Sequence, residues 1–196
     1  MKKALAIVLT LSAILLTGCG QSGVAAQVGK TTISQNEVQT SIDEILAERS
    51  KIDTSNMNLI TGEELNRNVL RFKLISEVFQ QIGESQGFKV TKGQVDSMRS
   101  DLISQVGGES GLPTALVNAY IAPRDFDRYI QTVIISNALN DAITKSKIGD
   151  PGTVIQQLIQ DHMQTAGIKI NPRYGVWDYQ TGDVQQFDSA GSALLK

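Results

Sequence analysis

The sequence predicts a mainly α-helical domain with a small amount of β-structure. Apolar residues recur at three- and four-residue spacing through most of the chain, the period of helices with one buried face. Three stretches share one helix-start pattern: an apolar residue, Ser or Thr, two variable residues, Glu or Gln, then another apolar residue. The best strand-forming material lies in "GIKINPRYGVWD" (167–178), which alternates on both sides of Asn171-Pro172 and carries the sole tryptophan, Trp177.

The chain opens with Lys2 and Lys3, the apolar run "ALAIVLTLSAILL" and then "LTGC" (16–19). That order is a secretory leader, too short and wrongly flanked for a membrane span. Leu, a small residue, Gly and Cys directly after the apolar run match the bacterial lipobox. Residues 1–18 are therefore expected to be a signal peptide and Cys19 the lipidated residue, with 19–23 a short tether. Cys19 is the only cysteine, so an intrachain disulfide is impossible. Without the leader's two lysines the chain holds 16 basic and 20 acidic residues, a formal charge of −4. No basic patch points to nucleic acid. No apolar run after the leader is long enough to span a bilayer.

"VAAQV" (24–28) alternates loosely, Gly29-Lys30 suits a turn, and "TTI" (31–33) extends. Ser34 and Glu37 then form a capping box, with Ile33 and Val38 as a hydrophobic staple. The first helix is expected over about 34–50, with Val38, Ile42, Ile45 and Leu46 inward. Thr61 with Glu64, stapled by Ile60 and Leu65, opens a long second helix to about Ser85. Its apolar face holds Leu65, Val69, Phe72, Ile75, Phe79 and Ile82, widened by Leu70, Leu74 and Val78. Thr91 with Gln94, stapled by Val90 and Val95, opens a third to about Gln105, with Met98, Leu102 and Ile103 on its face. "GGESGLP" (107–113) reads as a loop and 114–120 as a short helix. Pro123 and Pro151 suit the first helical position, where a missing N–H costs least. They open helices to about Ser146 and Ala166. The first carries Phe126, Tyr129, Ile130, Val133, Ile134 and Leu139. The second carries Val154, Ile155, Leu158, Ile159 and Met163. Gly167 stops the chain as a C-cap does. From Gln180 onward the residues are polar and small, and 179–196 is expected to be a flexible tail.

Catalytic chemistry has little to work with. The one histidine, His162, lies beside an apolar helical stripe, where packing is its expected role. No glycine loop has a phosphate-binding pattern, and no second His or Cys completes a zinc set. Glu63-Glu64 sits at a helix start, where the macrodipole explains it. No enzyme activity, cofactor, metal or small-molecule substrate is expected. What remains is apolar surface. Phe72, Phe79, Tyr120, Phe126 and Tyr129 are the candidate client-binding residues, lining a cradle beside the second helix.

Four motifs, in order, resemble the N-terminal domain of the SurA and PrsA family of extracytoplasmic foldases and chaperones. They are the lipoprotein leader followed by "VAAQVGKTTISQNEV", its echo "FKVTKGQV", "APRDFDRYI" leading a late helix, and "INPRYGVWD". The resemblance spans about 24–178, the expected domain. It implies a helical chaperone domain in which a small two-stranded sheet pairs 24–28 or 31–33 with the closing strand 168–170. Full-length members insert a parvulin prolyl isomerase of about a hundred residues before that strand. Here only "SKIGDPGTVIQQLIQDHMQTA" separates it from the preceding long helix, so no catalytic residue is carried over. The implied function is an ATP-independent holdase for unfolded or newly exported polypeptides. It would be lipid-anchored to the cell membrane or outer membrane, facing the periplasm or extracellular side. The alternative is a structural or adaptor lipoprotein for one dedicated envelope partner.

Overall fold

The structure, a computed structural model, describes residues 23–186. The signal peptide 1–18, Cys19, the tether as far as residue 22 and the last part of the expected tail, 187–196, lie outside the described residues.

Strand β1 (Val24–Val28) turns at Gly29, whose φ of +58° suits a residue without a Cβ, into β2 (Thr31–Ser34). Six α-helices follow among the described residues: α1 (Gln35–Arg49), α2 (Gly62–Ser85), α3 (Lys92–Gln105), α4 (Leu112–Ala119), α5 (Phe126–Ser146) and α6 (Pro151–Ala166). A 3₁₀ turn, Pro123–Asp125, leads into α5. Three short strands end the described chain: β3 (Ile168–Ile170), β4 (Val176–Asp178) and β5 (Asp183–Gln185).

The first sheet has the order β2-β1-β3 and is antiparallel throughout. Val28 faces both Thr31 and Ile168, and Ala26 faces Ile33 and Ile170. The expected pairing of the two ends of the domain is present, with one strand more than expected. β1 uses both of its edges, so 24–28 and 31–33 are partners rather than alternatives. Asn171 extends the pairing by one residue: its N–H donates to the Ala25 carbonyl at 2.8 Å and its side chain to the Val24 carbonyl at 3.1 Å.

Residues 179–186, expected to be the first part of a flexible tail, instead include a turn and a strand. β4 pairs with β5, and Val184 is buried in the main core. Local turn chemistry makes this hairpin. The Asp178 carboxylate accepts from the Gln180 and Thr181 N–H groups and from the Thr181 hydroxyl. Gly175 has no room for a side chain, because a Cβ there would stand 2.0 Å from the Gln185 carbonyl oxygen.

Both capping boxes at Ser34/Glu37 and Thr91/Gln94 form as expected. The box at Thr61 does not, since that side chain makes no bond to the first turn of α2. Gly62, at φ +56°, gives this helix a different lead-in. α4 starts at Leu112, two residues earlier than expected, because Pro113 is tolerated in its first turn. Leu46, expected inward, is 46% exposed.

Two apolar clusters result. The main one joins the first sheet, α1, α2, the second half of α5 and α6, with Val38, Leu70, Leu74 and Val78 fully buried. The smaller one joins α3, α4 and the first half of α5 around Leu116, Ile121, Phe126 and Ile130. A buried ion pair fastens three elements near their junction. Lys73 Nζ of α2 lies 2.9 and 3.0 Å from the two carboxylate oxygens of Asp125, which also accepts from the Ser41 hydroxyl of α1 at 2.6 Å.

Candidate apolar cleft

α3 is shallowly seated. None of its residues is buried, and Val95, Met98, Leu102 and Ile103 are only partly covered by the smaller cluster. Its fixed ends explain its position. The Thr91/Gln94 box sets its start, and Gly107 and Gly108, at φ +90° and +85°, turn the chain back at its end. Arg99 clamps it to α5. The guanidinium pairs with Asp127 and lies over the Phe126 ring, 4.9 Å from the ring centre.

α4 forms the opposite wall. It ends at Tyr120, which is held at φ +55°, an uncommon conformation for a bulky residue. Two contacts hold it there. The Tyr120 hydroxyl donates to the Asn58 carbonyl at 3.1 Å, and the Arg49 guanidinium covers the ring at 5.7 Å. Ile121 and Ala122 are then buried, and α5 opens with Phe126 and Tyr129 stacked at 6.5 Å.

Between α3, α4 and α5 lies a cleft of about 120 Å³, and every residue lining it is apolar or aromatic. Leu102 and Val106 come from the α3 side, Leu112 and Ala115 from α4, and Phe126 and Tyr129 from α5. Its volume is far below the roughly 300–1,000 Å³ of a small-molecule site. It matches the scale of one or two inserted apolar side chains. A wider groove of about 330 Å³ runs between α2, α6 and the β4–β5 hairpin. Its floor of Ile75, Ile155 and Ile159 is broken by Arg71, Gln156, Gln160 and Thr181, so it is the less apolar of the two.

The five expected client-binding residues do not form one surface. Phe126 and Tyr129 line the cleft. Phe72 packs partly buried under the same cluster. Phe79 lies in the main core, 8% exposed, and is a packing residue rather than part of a cradle. Tyr120 caps α4 beside the cleft without lining it. Sequence reasoning misses Leu102, Val106, Leu112 and Ala115. Their only signal is a helical apolar spacing that core residues share.

His162 is placed for structure. Gln81 donates its amide N–H to the Val28 carbonyl, the Thr31 hydroxyl and Glu77, which turns its oxygen toward His162 Nε2 at 2.8 Å. The imidazole therefore donates there, and burial lowers its pKa below the ordinary value of 6.5. At Glu37, burial alone would raise the pKa. Hydrogen bonds from Ser34 and the charges of Lys73 and Arg128 outweigh it and lower the value. Among the described residues, no three His, Cys, Asp or Glu side chains gather as a metal set, and no helix is long and apolar enough to cross a membrane.

Six helices closed by a sheet from the two ends of the described chain make a mainly α-helical domain of the SurA N-terminal type, a class whose role in general is chaperone-like or adaptor. The chain belongs to the SurA-like N-terminal domain family, whose model matches residues 1–140. The match ends within α5, and no parvulin domain is evident in the 196 residues. The family is a non-catalytic, chaperone-type domain. No curated protein and no solved structure matches the chain significantly.

Proposed function

We propose that this protein is a lipid-anchored, extracytoplasmic holdase that works without ATP. The single observation that carries the reading is the cleft between α3, α4 and α5, lined by apolar and aromatic side chains. Unfolded and newly exported chains expose large apolar side chains at irregular spacing. A small apolar cleft accepts these one or two at a time, by contacts that are non-directional and weak. Weak capture allows release without an energy source. The leader, with Cys19 after "LTG", supports attachment to the cell membrane or outer membrane, facing the periplasm or extracellular side. A lipid with two or more acyl chains anchors stably where one does not.

The test is suppression of aggregation. A soluble form without the leader and Cys19 is mixed in equimolar ratio with a reduced, aggregating client. The wild-type domain is expected to slow light scattering. Ala115→Glu places a charge in the cleft and is expected to remove at least half of that effect, with far-UV circular dichroism unchanged. Failure of the wild-type domain to slow scattering sinks the holdase reading. Capture of one stoichiometric envelope protein, with no effect on clients, would put a dedicated adaptor in its place.

A further inference from the structure

α2 and α5 are held together at two places. At one, Gly83 lets the helices close up: a Cβ there would stand 3.1 Å from Ile135 Cγ2. At the other, Lys73 of α2 pairs with Asp125, the residue just before α5. Between these fixed points the two helices enclose a second cavity of about 290 Å³. Its lining is the reverse of the apolar cleft's. Ser76, Glu77 and Gln80 come from α2, and Arg128, Gln131 and Thr132 from α5. Ser76 and Gln80 stand four residues apart on one face of α2, as Arg128 and Thr132 do on α5, so each helix turns a polar strip into the seam.

Several of these polar groups are uncommitted. Ser76 is 4% exposed, yet its Oγ has no hydrogen-bond partner among the described residues. Buried polar groups are nearly always paired, so this hydroxyl points to something that enters the cavity. Glu77 accepts from Gln81 with one carboxylate oxygen, and its other, Oε2, stands 4.0 Å from Arg128 Nη1, too far for a hydrogen bond. Thr132 donates its hydroxyl hydrogen to the Arg128 carbonyl, which leaves its oxygen free to accept. A donor and an acceptor thus face each other across a gap, beside a hydroxyl that serves as either. Among the lining residues the charges of Arg128 and Glu77 cancel. An anion in the gap would meet Glu77, and a cation would meet Arg128. A neutral group that offers C=O and N–H side by side satisfies both. An extended polypeptide residue does so, because its N–H and C=O point to the same edge, as in an antiparallel pair. The length also fits. Ser76 to Gln80 spans about 6 Å of helix, room for about two extended residues at roughly 3.3 Å each. A sugar ring is neutral too, but it needs a flat apolar face to stack on, and no lining residue is aromatic.

We propose that the cavity between α2 and α5 binds polypeptide main chain: Arg128 donates to a carbonyl, Glu77 accepts from an N–H, and Ser76 Oγ completes the contact. It is a second site, indifferent to the side chains that the apolar cleft takes. The choice of polypeptide rests on the reading given under Proposed function. The probe is acetyl-Gly-Ser-Gly-Ser-amide, which has peptide groups and no apolar side chain, titrated into the nitrogen-15-labelled soluble form and followed by NMR. Saturable shifts are expected at Ser76, Glu77, Arg128 and the Gln131 side-chain amide, with a Kd of about 1 mM. Arg128→Ala changes a side chain that is 41% exposed, so the fold is expected to stand by circular dichroism. It is expected to weaken binding about fivefold, as loss of a charge-assisted hydrogen bond does. The same peptide with every N–H methylated is expected to bind about tenfold more weakly. No saturable shift at these positions up to about 20 mM overturns the proposal, and the cavity then holds water alone. Shifts confined to Leu102, Ala115 and Tyr129 overturn it too, since they put the peptide in the cleft, as does equal binding of the methylated peptide. Shifts at Ser76 and Arg128 without suppression of client aggregation would sink the holdase reading and keep this site. Suppression without those shifts would do the reverse.

Discussion

Lys73 and Asp125 are 4% and 6% exposed, far drier than charged side chains usually are. Taking both from water is costly, and their attraction offsets it only where the remaining polar atoms are satisfied. That condition is met on the Asp125 side. Both its oxygens face Lys73 Nζ, and one also accepts from Ser41. Removing one partner strands the other. Lys73→Met is expected to destabilise the domain by roughly 3–5 kcal/mol, read from urea unfolding. Adding Asp125→Leu is expected to recover much of that loss, since no buried charge then remains. A double variant as unstable as the single one would show that the ion pair is not what Lys73 contributes. Nothing in the sequence marks this pair. Lys73 interrupts the apolar face of α2 between Phe72 and Leu74, and Asp125 reads as an ordinary helix-start acid.

Among elements, the well-read ones are those whose signals are local. The boxes at Ser34 and Thr91 each need only six residues, and both form. Pro151 and Gly167 bracket α6 correctly for the same reason. Only the first strand of the β4–β5 hairpin is readable in advance, as the alternation in "GVWD". Val184 is the lone apolar residue of "TGDVQQ", and its burial depends on a core that draws on α1 and α2, more than a hundred positions away, as well as on its own neighbours. The cleft is half legible. Phe126 and Tyr129 stand out by type, whereas Leu102 and Ala115 look the same in sequence whether they face a core or an opening. α6 offers a prediction at this scale. His162 joins it to Gln81 of α2, and burial holds its folded-state pKa below the 6.5 of the unfolded chain. As pH falls, the unfolded chain takes up this proton first. The stability attached to neutral His162 is thus complete above pH 6.5 and is lost as pH falls through the folded value. The melting temperature is expected to drop between pH 7.5 and 5.5, a window above the ordinary carboxylate range. His162→Gln should flatten that slope, and an unchanged slope would assign the pH dependence elsewhere.

The molecule as a whole consists of two unequal parts sharing α5. Ile135 and Leu139 of that helix belong to the main cluster, and Phe126 and Ile130 to the smaller one. The main part holds most of the fully buried side chains, and each such Val, Leu or Ile contributes about 1.5–3 kcal/mol of apolar burial. The lobe of α3 and α4 has four buried apolar residues at its centre and none on α3. Stability therefore falls from the sheet end toward the cleft, and regions with few buried contacts open first. Trp177, the sole tryptophan, packs against the main core, so its fluorescence reports that part alone. Far-UV circular dichroism reports every helix, α3 and α4 included. In a urea titration at neutral pH, ellipticity is expected to begin falling at lower denaturant than the Trp177 emission shifts. Amide exchange in α3 is expected to run well ahead of that in α2. Coincident transitions would mean one cooperative unit. The cleft would then have to take its occupant without α3 moving. Separate transitions would make the lobe a locally opening part of the fold, able to widen around apolar segments larger than the 120 Å³ it encloses when closed.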